Sequence, residues 1–221
     1  MFTFFKRKKP EVTIHSVSIP TFGWEIVDQN AERIVWVNPE QSALISLYFF
    51  NIPPDLPTVK NADELRNFHR HSISASGGGI VEVSLFNLHN IPSVKTIFKI
   101  PQEEHGMTYL ASVTIPFENC SFVIKAQAVE TGTTGIRDNL ILSRFLQNGE
   151  VTFDDNGLKN WFEDPYEPSF RSGTLMNKSE REEYDSDFPD HPLSIVRSMM
   201  NEAIQEVVLK DELKYLNIFN K

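Results

Sequence analysis

The chain contains one cysteine among 221 residues, so neither an internal disulfide nor a multi-thiolate zinc site can be built within it. It is poor in cations, with 21 Lys and Arg against 30 Asp and Glu and a net charge of -9. That balance argues against a primary nucleic-acid binder, whose surface must offset phosphate charge. No run of apolar residues approaches the roughly 20 that a membrane-spanning helix requires. The first residues, Met1-Phe2-Thr3-Phe4-Phe5 followed by Lys6, Arg7, Lys8 and Lys9, reverse the charged-then-apolar order of a secretory signal. Together these absences lead to the expectation of a soluble, cytoplasmic protein. What is present is a 40% hydrophobic content, enough for a sizeable core in a chain of this length.

Most of the first 130 residues alternate at the period of strands. Residues 32–37 (ERIVWV) and 42–50 (SALISLYFF) are apolar and β-rich around the turn Asn38-Pro39-Glu40-Gln41, and they read as paired strands. Residues 80–88, 94–100, 107–115 and 120–129 follow with short connections that imply an antiparallel meander. Between these groups residues 61–76 read as a helix, with Asn61 as N-cap, Glu64 three residues on and Gly77 beyond its end. A second helix is expected at 134–147. A third follows Asp190, where Leu193, Val196, Met200, Ala203 and Val207 recur at intervals of three and four.

Charge is concentrated in one place. Residues 150–190 hold twelve acidic and four basic side chains, nearly the whole net charge of the chain. Pro165, Pro168 and Pro189 and a lack of periodicity mark this stretch as irregular, yet it carries rings that a solvated linker does not need. It reads as a wrap anchored on the core by its aromatics. The expected division is therefore a basic tail (1–12), an α+β core (13–150), an acidic wrap (151–190) and a C-terminal helix docked on the core (191–221). Trp161, Phe162, Tyr166, Phe170, Glu180, Glu182, Glu183, Asp185 and Asp187 are the candidate partner-binding residues, charge steering the encounter and rings anchoring it.

The candidates for chemistry are few. Gly77-Gly78-Gly79 follows a helix and precedes a strand, the reverse of a phosphate loop, and reads as a flexible turn. His69 and His71, two apart on a helix, point to different faces and do not share a metal. Cys120 and His89 fall at the same end of the meander, so a Cys-His nucleophilic dyad is conceivable there, although a lone cysteine in an apolar row reads first as a core residue. Phe188-Pro189-Asp190-His191-Pro192 reads as a helix start, with Asp190 as N-cap. No metal and no cofactor is expected.

The order of two strands, helix, four strands and helix, carried on Phe22-Gly23-Trp24, ERIVWVNPEQSALISLYFF, DELRNFHRHSI, VKTIFKI and MTYLASVTI, resembles the α/β/α sandwich of the PsbP-like superfamily over residues 13–148. That superfamily includes DcrB-like proteins and Eag-type chaperones of type VI secretion. The resemblance implies a non-enzymatic binding, adaptor or chaperone-like role with a protein partner. The alternative is a small hydrolase or ligand-binding enzyme with a site near Cys120 and His89. An enzyme needs a concave polar pocket containing groups with perturbed pKa, whereas an adaptor should expose an apolar or aromatic groove or sheet edge.

Overall fold

The computed structural model describes residues 11–155 and 157–221. The basic tail read at 1–12 lies outside the described residues up to position 10. In chain order the strands are β1 (Val17–Ser18), β2 (Glu25–Gln29), β3 (Arg33–Val37), β4 (Ala43–Phe50), β5 (Gly79–Leu88), β6 (Ile91–Pro101), β7 (Met107–Pro116), β8 (Ser121–Val129), β9 (Thr152–Asp154), β10 (Gly157–Lys159), β11 (Phe162–Glu163), β12 (Met176–Asn177) and β13 (Val208–Leu209). The helices are α1 (Ala62–Ala75), α2 (Ile136–Gln147) and α3 (Pro192–Glu206). Seven strands form one antiparallel sheet in the order β2-β3-β4-β8-β7-β6-β5. Two meanders thus meet at the β4–β8 seam, and α1 carries the chain from the seam to the far edge.

The period of two in each strand decides what lies on which face. Ile45, Leu47, Ala111, Val113, Ile115, Phe122, Ile124 and Ala126 are buried toward α3. That helix answers with Leu193, Val196, Met200 and Ala203, all 0% exposed, the stripe that its sequence spacing sets. On the opposite face α1 packs on β5, and Leu65 joins Ile80, Val83 and Val94 in a second, smaller core. Helix α1 begins where Asn61 accepts hydrogen bonds from the N–H groups of Asp63 and Glu64, and it stops before Gly77, whose φ of +79° suits a residue without Cβ.

Three local readings need correction. The strand β2 was not legible, because EIVDQ is mostly exposed at the sheet edge and has no alternating apolar face. The N-cap of α3 is His191, whose ring accepts the Leu193 N–H, and not Asp190. Gly78 and Gly79 are more than a flexible turn: a Cβ at Gly79 would stand 1.7 Å from the Thr174 carbonyl oxygen and one at Gly78 2.8 Å from that of Lys99. The wrap crosses the sheet margin there, with Thr174 N–H donating to the Gly78 carbonyl, and only glycine lets two backbones come so close.

The acidic segment holds four short strands and two turns of 3₁₀ helix, tied down chiefly by buried ion pairs. Arg70 of α1 makes a two-pronged contact with Asp164, Nε to Oδ2 at 3.0 Å and Nη2 to Oδ1 at 2.9 Å, and both side chains are 4% exposed. Glu180 is fully buried and accepts from Lys99 Nζ, the Tyr109 hydroxyl and the Asn177 N–H, each at 2.7 Å. Burial, followed by the Glu180 charge, pushes the Tyr109 hydroxyl pKa well above its ordinary value. Arg137 of α2 donates to the carbonyls of Ser179 and Arg181 and to Ser194 Oγ, and it shares Asp185 with Arg197 of α3. One polar network therefore joins the sheet, α2, the wrap and α3.

Candidate functional site

The nine residues expected to bind a partner do not form one surface. Trp161 is 2% exposed and packs edge-on against Phe145 in a small core beneath α2. The Tyr166 hydroxyl accepts the Val83 N–H, and the Arg66 guanidinium lies 4.0 Å above its ring. Phe170 sits beside Arg70 and His71. Glu180 is enclosed, Asp185 is held by two arginines, and Asp187 meets Arg144 on the surface. Phe162, Glu182 and Glu183 project outward, Glu183 near Arg181.

Nor do Cys120 and His89 form a nucleophilic site. Cys120 is buried at the β7–β8 turn, where its carbonyl accepts the Phe117 N–H, and burial raises the thiol pKa above its usual value. His89 is spent elsewhere: its Nε2 donates to the Val207 carbonyl at 3.1 Å. His89 and Asn90 both have positive φ, the two-residue turn that a β5–β6 hairpin with matched twist requires. The alternative of a Cys-His dyad is corrected on this geometry, because no hydrogen bond links the two residues among those described. Alkylation of Cys120 is expected to be slow at neutral pH and to quicken only on unfolding, since the thiolate is the reactive form. Rapid native labelling followed by mass spectrometry would contradict this placement.

His191 and Glu130 form the other pairing that invites a chemical reading. They line a cleft of about 350 Å³ beside Phe188 and Pro189, with Nε2 of the histidine 3.6 Å from the carboxylate. Its Nδ1 accepts from the first turn of α3, so neither ring nitrogen is available as a base. Burial alone would raise the Glu130 pKa, but hydrogen bonds from His191 and from the N–H groups of Gly135 and Met107 together lower it below the ordinary 4.5. A carboxylate shifted downward stabilises the fold above its unfolded pKa, and that contribution disappears as pH falls through the folded value. Glu130→Gln should therefore lower stability at pH 7, and the difference from the parent should narrow as pH falls below the ordinary carboxylate value of 4.5. Denaturant unfolding across pH checks it, and a difference that does not narrow as the solution is acidified would show that charge is not the cause.

The feature that stands out is a sheet face left open. Register places Asp28, Val35, Ser46, Lys125, Ser112, Thr96 and Val83 in one transverse row over seven strands. Helix α1 covers the β5–β6 end of this face. Over β3, β4, β8 and β7 the flanking rows of Val37, Leu44, Gln127 and Leu110, and of Arg33, Tyr48, Val123 and Thr114, are half-buried or exposed. Two depressions of about 630 and 400 Å³ lie here and share Leu44 and Gln127. Tyr48 stacks on Phe50, with ring centroids 6.0 Å apart and planes 5° apart, and Val27, Phe50 and Ile52 are exposed nearby.

Lys125 stands in the middle of the row. Its ammonium lies 4.7 Å from the Tyr48 ring centroid, and no carboxylate pairs with it among the described residues, whereas Arg33 is paired with Asp28. Burial holds its pKa below the ordinary lysine value. Ser46 and Ser112 flank it, and the Ser112 hydroxyl meets that of Thr96 at 2.7 Å. Sequence reasoning missed this site. The alternation of SALISLYFF and SFVIKAQAV carries the signal, but a strand pattern cannot say which of two faces a helix will cover.

Among the described residues no cluster of three or more His, Cys, Asp or Glu could hold a metal, and no helix is long and apolar enough to cross a membrane. No family model matches the chain, and no curated protein matches it. Several solved structures superpose on parts of the chain, each at a low TM-score. Cyanobacterial PsbP (CyanoP) from Synechocystis sp. PCC 6803 superposes with a TM-score of 0.37 at 10% identity, over 58% of this chain and 79% of that one. The Ran-binding protein Mog1p of Saccharomyces cerevisiae gives a TM-score of 0.38 at 10% identity, over 84% and 82%. A Bacteroides thetaiotaomicron protein gives 0.35 at 11% identity, over 55% of this chain and 41% of its own length.

Proposed function

We propose that this chain is a non-enzymatic binding or adaptor protein whose working surface is the open sheet face, and that the surface takes an amphipathic helix with an acidic side chain from a protein partner. The observation that carries the reading is the exposed, ring-bearing face with an unpaired cation at its centre. Exposed apolar side chains such as Val27, Phe50 and Ile52 at the margin of a polar, half-buried face are features that an interaction site offers a partner. Strand addition at an edge is disfavoured, since register shifts interrupt both outer strands, between Ile26 and Asp28 and between Ile80 and Glu82, and bulges blunt edge pairing. A helix suits the face instead. Helices pack 8–10 Å apart and strands lie about 4.8 Å apart, so a helix beside α1 is displaced by about two strands and comes to rest over β7 and β8. There it would meet Leu110, Val123 and Lys125, and a Glu or Asp on its lower side would supply the carboxylate that the lysine lacks. A contribution of the acidic segment to partner choice would run through Phe162, Glu182 and Glu183, which face outward. A cytoplasmic location is part of the same reading, supported by a sequence whose single cysteine leaves no internal disulfide framework.

A photo-crosslinking residue at Leu110, activated in cells that make the protein, tests the proposal. The expected product joins Leu110 to an amphipathic helical segment containing Glu or Asp. Lys125→Glu should weaken that complex by 10-fold or more, and Lys replacing the partner's acid should restore it. Crosslinks to an extended or basic segment, or none above background, would overturn the proposal.

A further inference from the structure

Another cleft lies on the α3 side of the sheet, away from the open face. The β5–β6 turn, the residue after β7 and the segment that follows α3 enclose about 460 Å³, within the range of small-molecule sites. Ile91, Phe117, Val207, Val208, Leu213 and Ile218 supply apolar walls, and the exposed part of the rim is apolar as well, with Val208 57% and Ile218 45% exposed. The charged residues of the lining are Lys210 and Lys214, and the His89 ring beside them is held by the Val207 carbonyl. Lys214 donates to Asp211 at 2.7 Å, on side chains 75% and 87% exposed, while Lys210 is in no ion pair among the described residues and its charge acts on the nearby Glu212 carboxylate.

From this cleft we infer a binding site for a free single-chain fatty carboxylate, its chain along the Phe117 and Leu213 wall and its head group at Lys210 and Lys214. Apolar walls reward a hydrocarbon chain by removing it from water. The two ammonium groups select the sign of the head. A neutral alkane derivative would leave the lysines without a partner, and a cationic amphiphile would be repelled. The walls are held in place by contacts independent of any ligand. The β13 strand pairs with β1, the Lys210 N–H donates to the Ser16 carbonyl, and a bridge joins Phe117 to Ile218. The site thus exists before the ligand arrives, which lowers the ordering cost of binding.

Titration of the intact protein with dodecanoate below its micelle concentration, followed by calorimetry and by methyl NMR of Ile91, Leu213 and Ile218, tests this inference. Saturable binding with shifts at those methyls is expected, and dodecylammonium should bind at least 10-fold more weakly. Lys210→Glu with Lys214→Glu should weaken dodecanoate 10-fold or more without changing the melting temperature. Asp211→Asn should strengthen it by freeing Lys214. Equal binding of dodecylammonium, shifts confined to other methyls, or no binding would overturn the site. Association with anionic phospholipid vesicles in place of free dodecanoate would overturn it too, by pointing to a membrane surface.

Discussion

Glu180→Ala should cost about 3–5 kcal/mol, the range for removing one partner of a buried ion pair. It should lower the melting temperature by on the order of 10 °C for a domain of this size. The carboxylate is fully enclosed and receives Lys99, Tyr109 and a backbone N–H, so its loss strands an ammonium that is itself 2% exposed. The cost comes from the uncompensated charge more than from the pair's net worth. The combined change Lys99→Met with Glu180→Leu should therefore recover much of the loss, because well-packed apolar residues often replace a buried pair at little cost. Thermal unfolding of the single and double variants decides the matter. If Glu180→Ala melts within a degree or two of the parent, Glu180 is not the anchor of the wrap. Replacing Glu182 and Glu183 by Gln should leave stability within about 0.5 kcal/mol, as for most surface changes, although all three acids lie within four residues.

Leu193→Ala should cost about 2–5 kcal/mol, the range for a large-to-small change at a closed site. Leu193 is 0% exposed in the main core with Val196, Met200 and Ala203, and the sheet beneath it is pinned by hydrogen bonds on both sides and cannot collapse into the void. Ile195, half-buried on the same helix, should lose less on the same change. Removal of everything after Asp190 would uncover the inner faces of β7 and β8 together and should leave no cooperative transition. Chemical denaturation of the three proteins measures the series. Equal losses at Leu193 and Ile195, or a cooperative transition in the truncated chain, would show that α3 is a peripheral helix.

Elements whose pattern is local were legible in the residues alone. Period-two runs such as VKTIFKI and ERIVWV became strands because alternate side chains must leave opposite faces. Helix α1 was legible from Asn61, Glu64 and Gly77, and α3 from the spacing of Leu193, Val196, Met200 and Ala203, since both signals span only a few turns. The antiparallel meander followed from connections too short for a crossover. Pairing in space belonged to the tertiary structure alone. Glu180 and Lys99 lie 81 residues apart, and Asp164 and Arg70 lie 94 apart, so no local pattern separates an acid buried against a cation from the solvated Glu182. Ring positions in the wrap were visible, but whether Trp161 faced inward and Phe162 outward depended on α2 packing above them. His191 became the cap in place of Asp190 because its ring also met Glu130 from β8's far end. The open face was the least legible feature. Both faces of β4 and β8 carry apolar residues, and which of them α1 and α3 would cover was settled by where the crossover from β4 to β5 placed α1, a non-local choice that leaves no trace in the strands themselves.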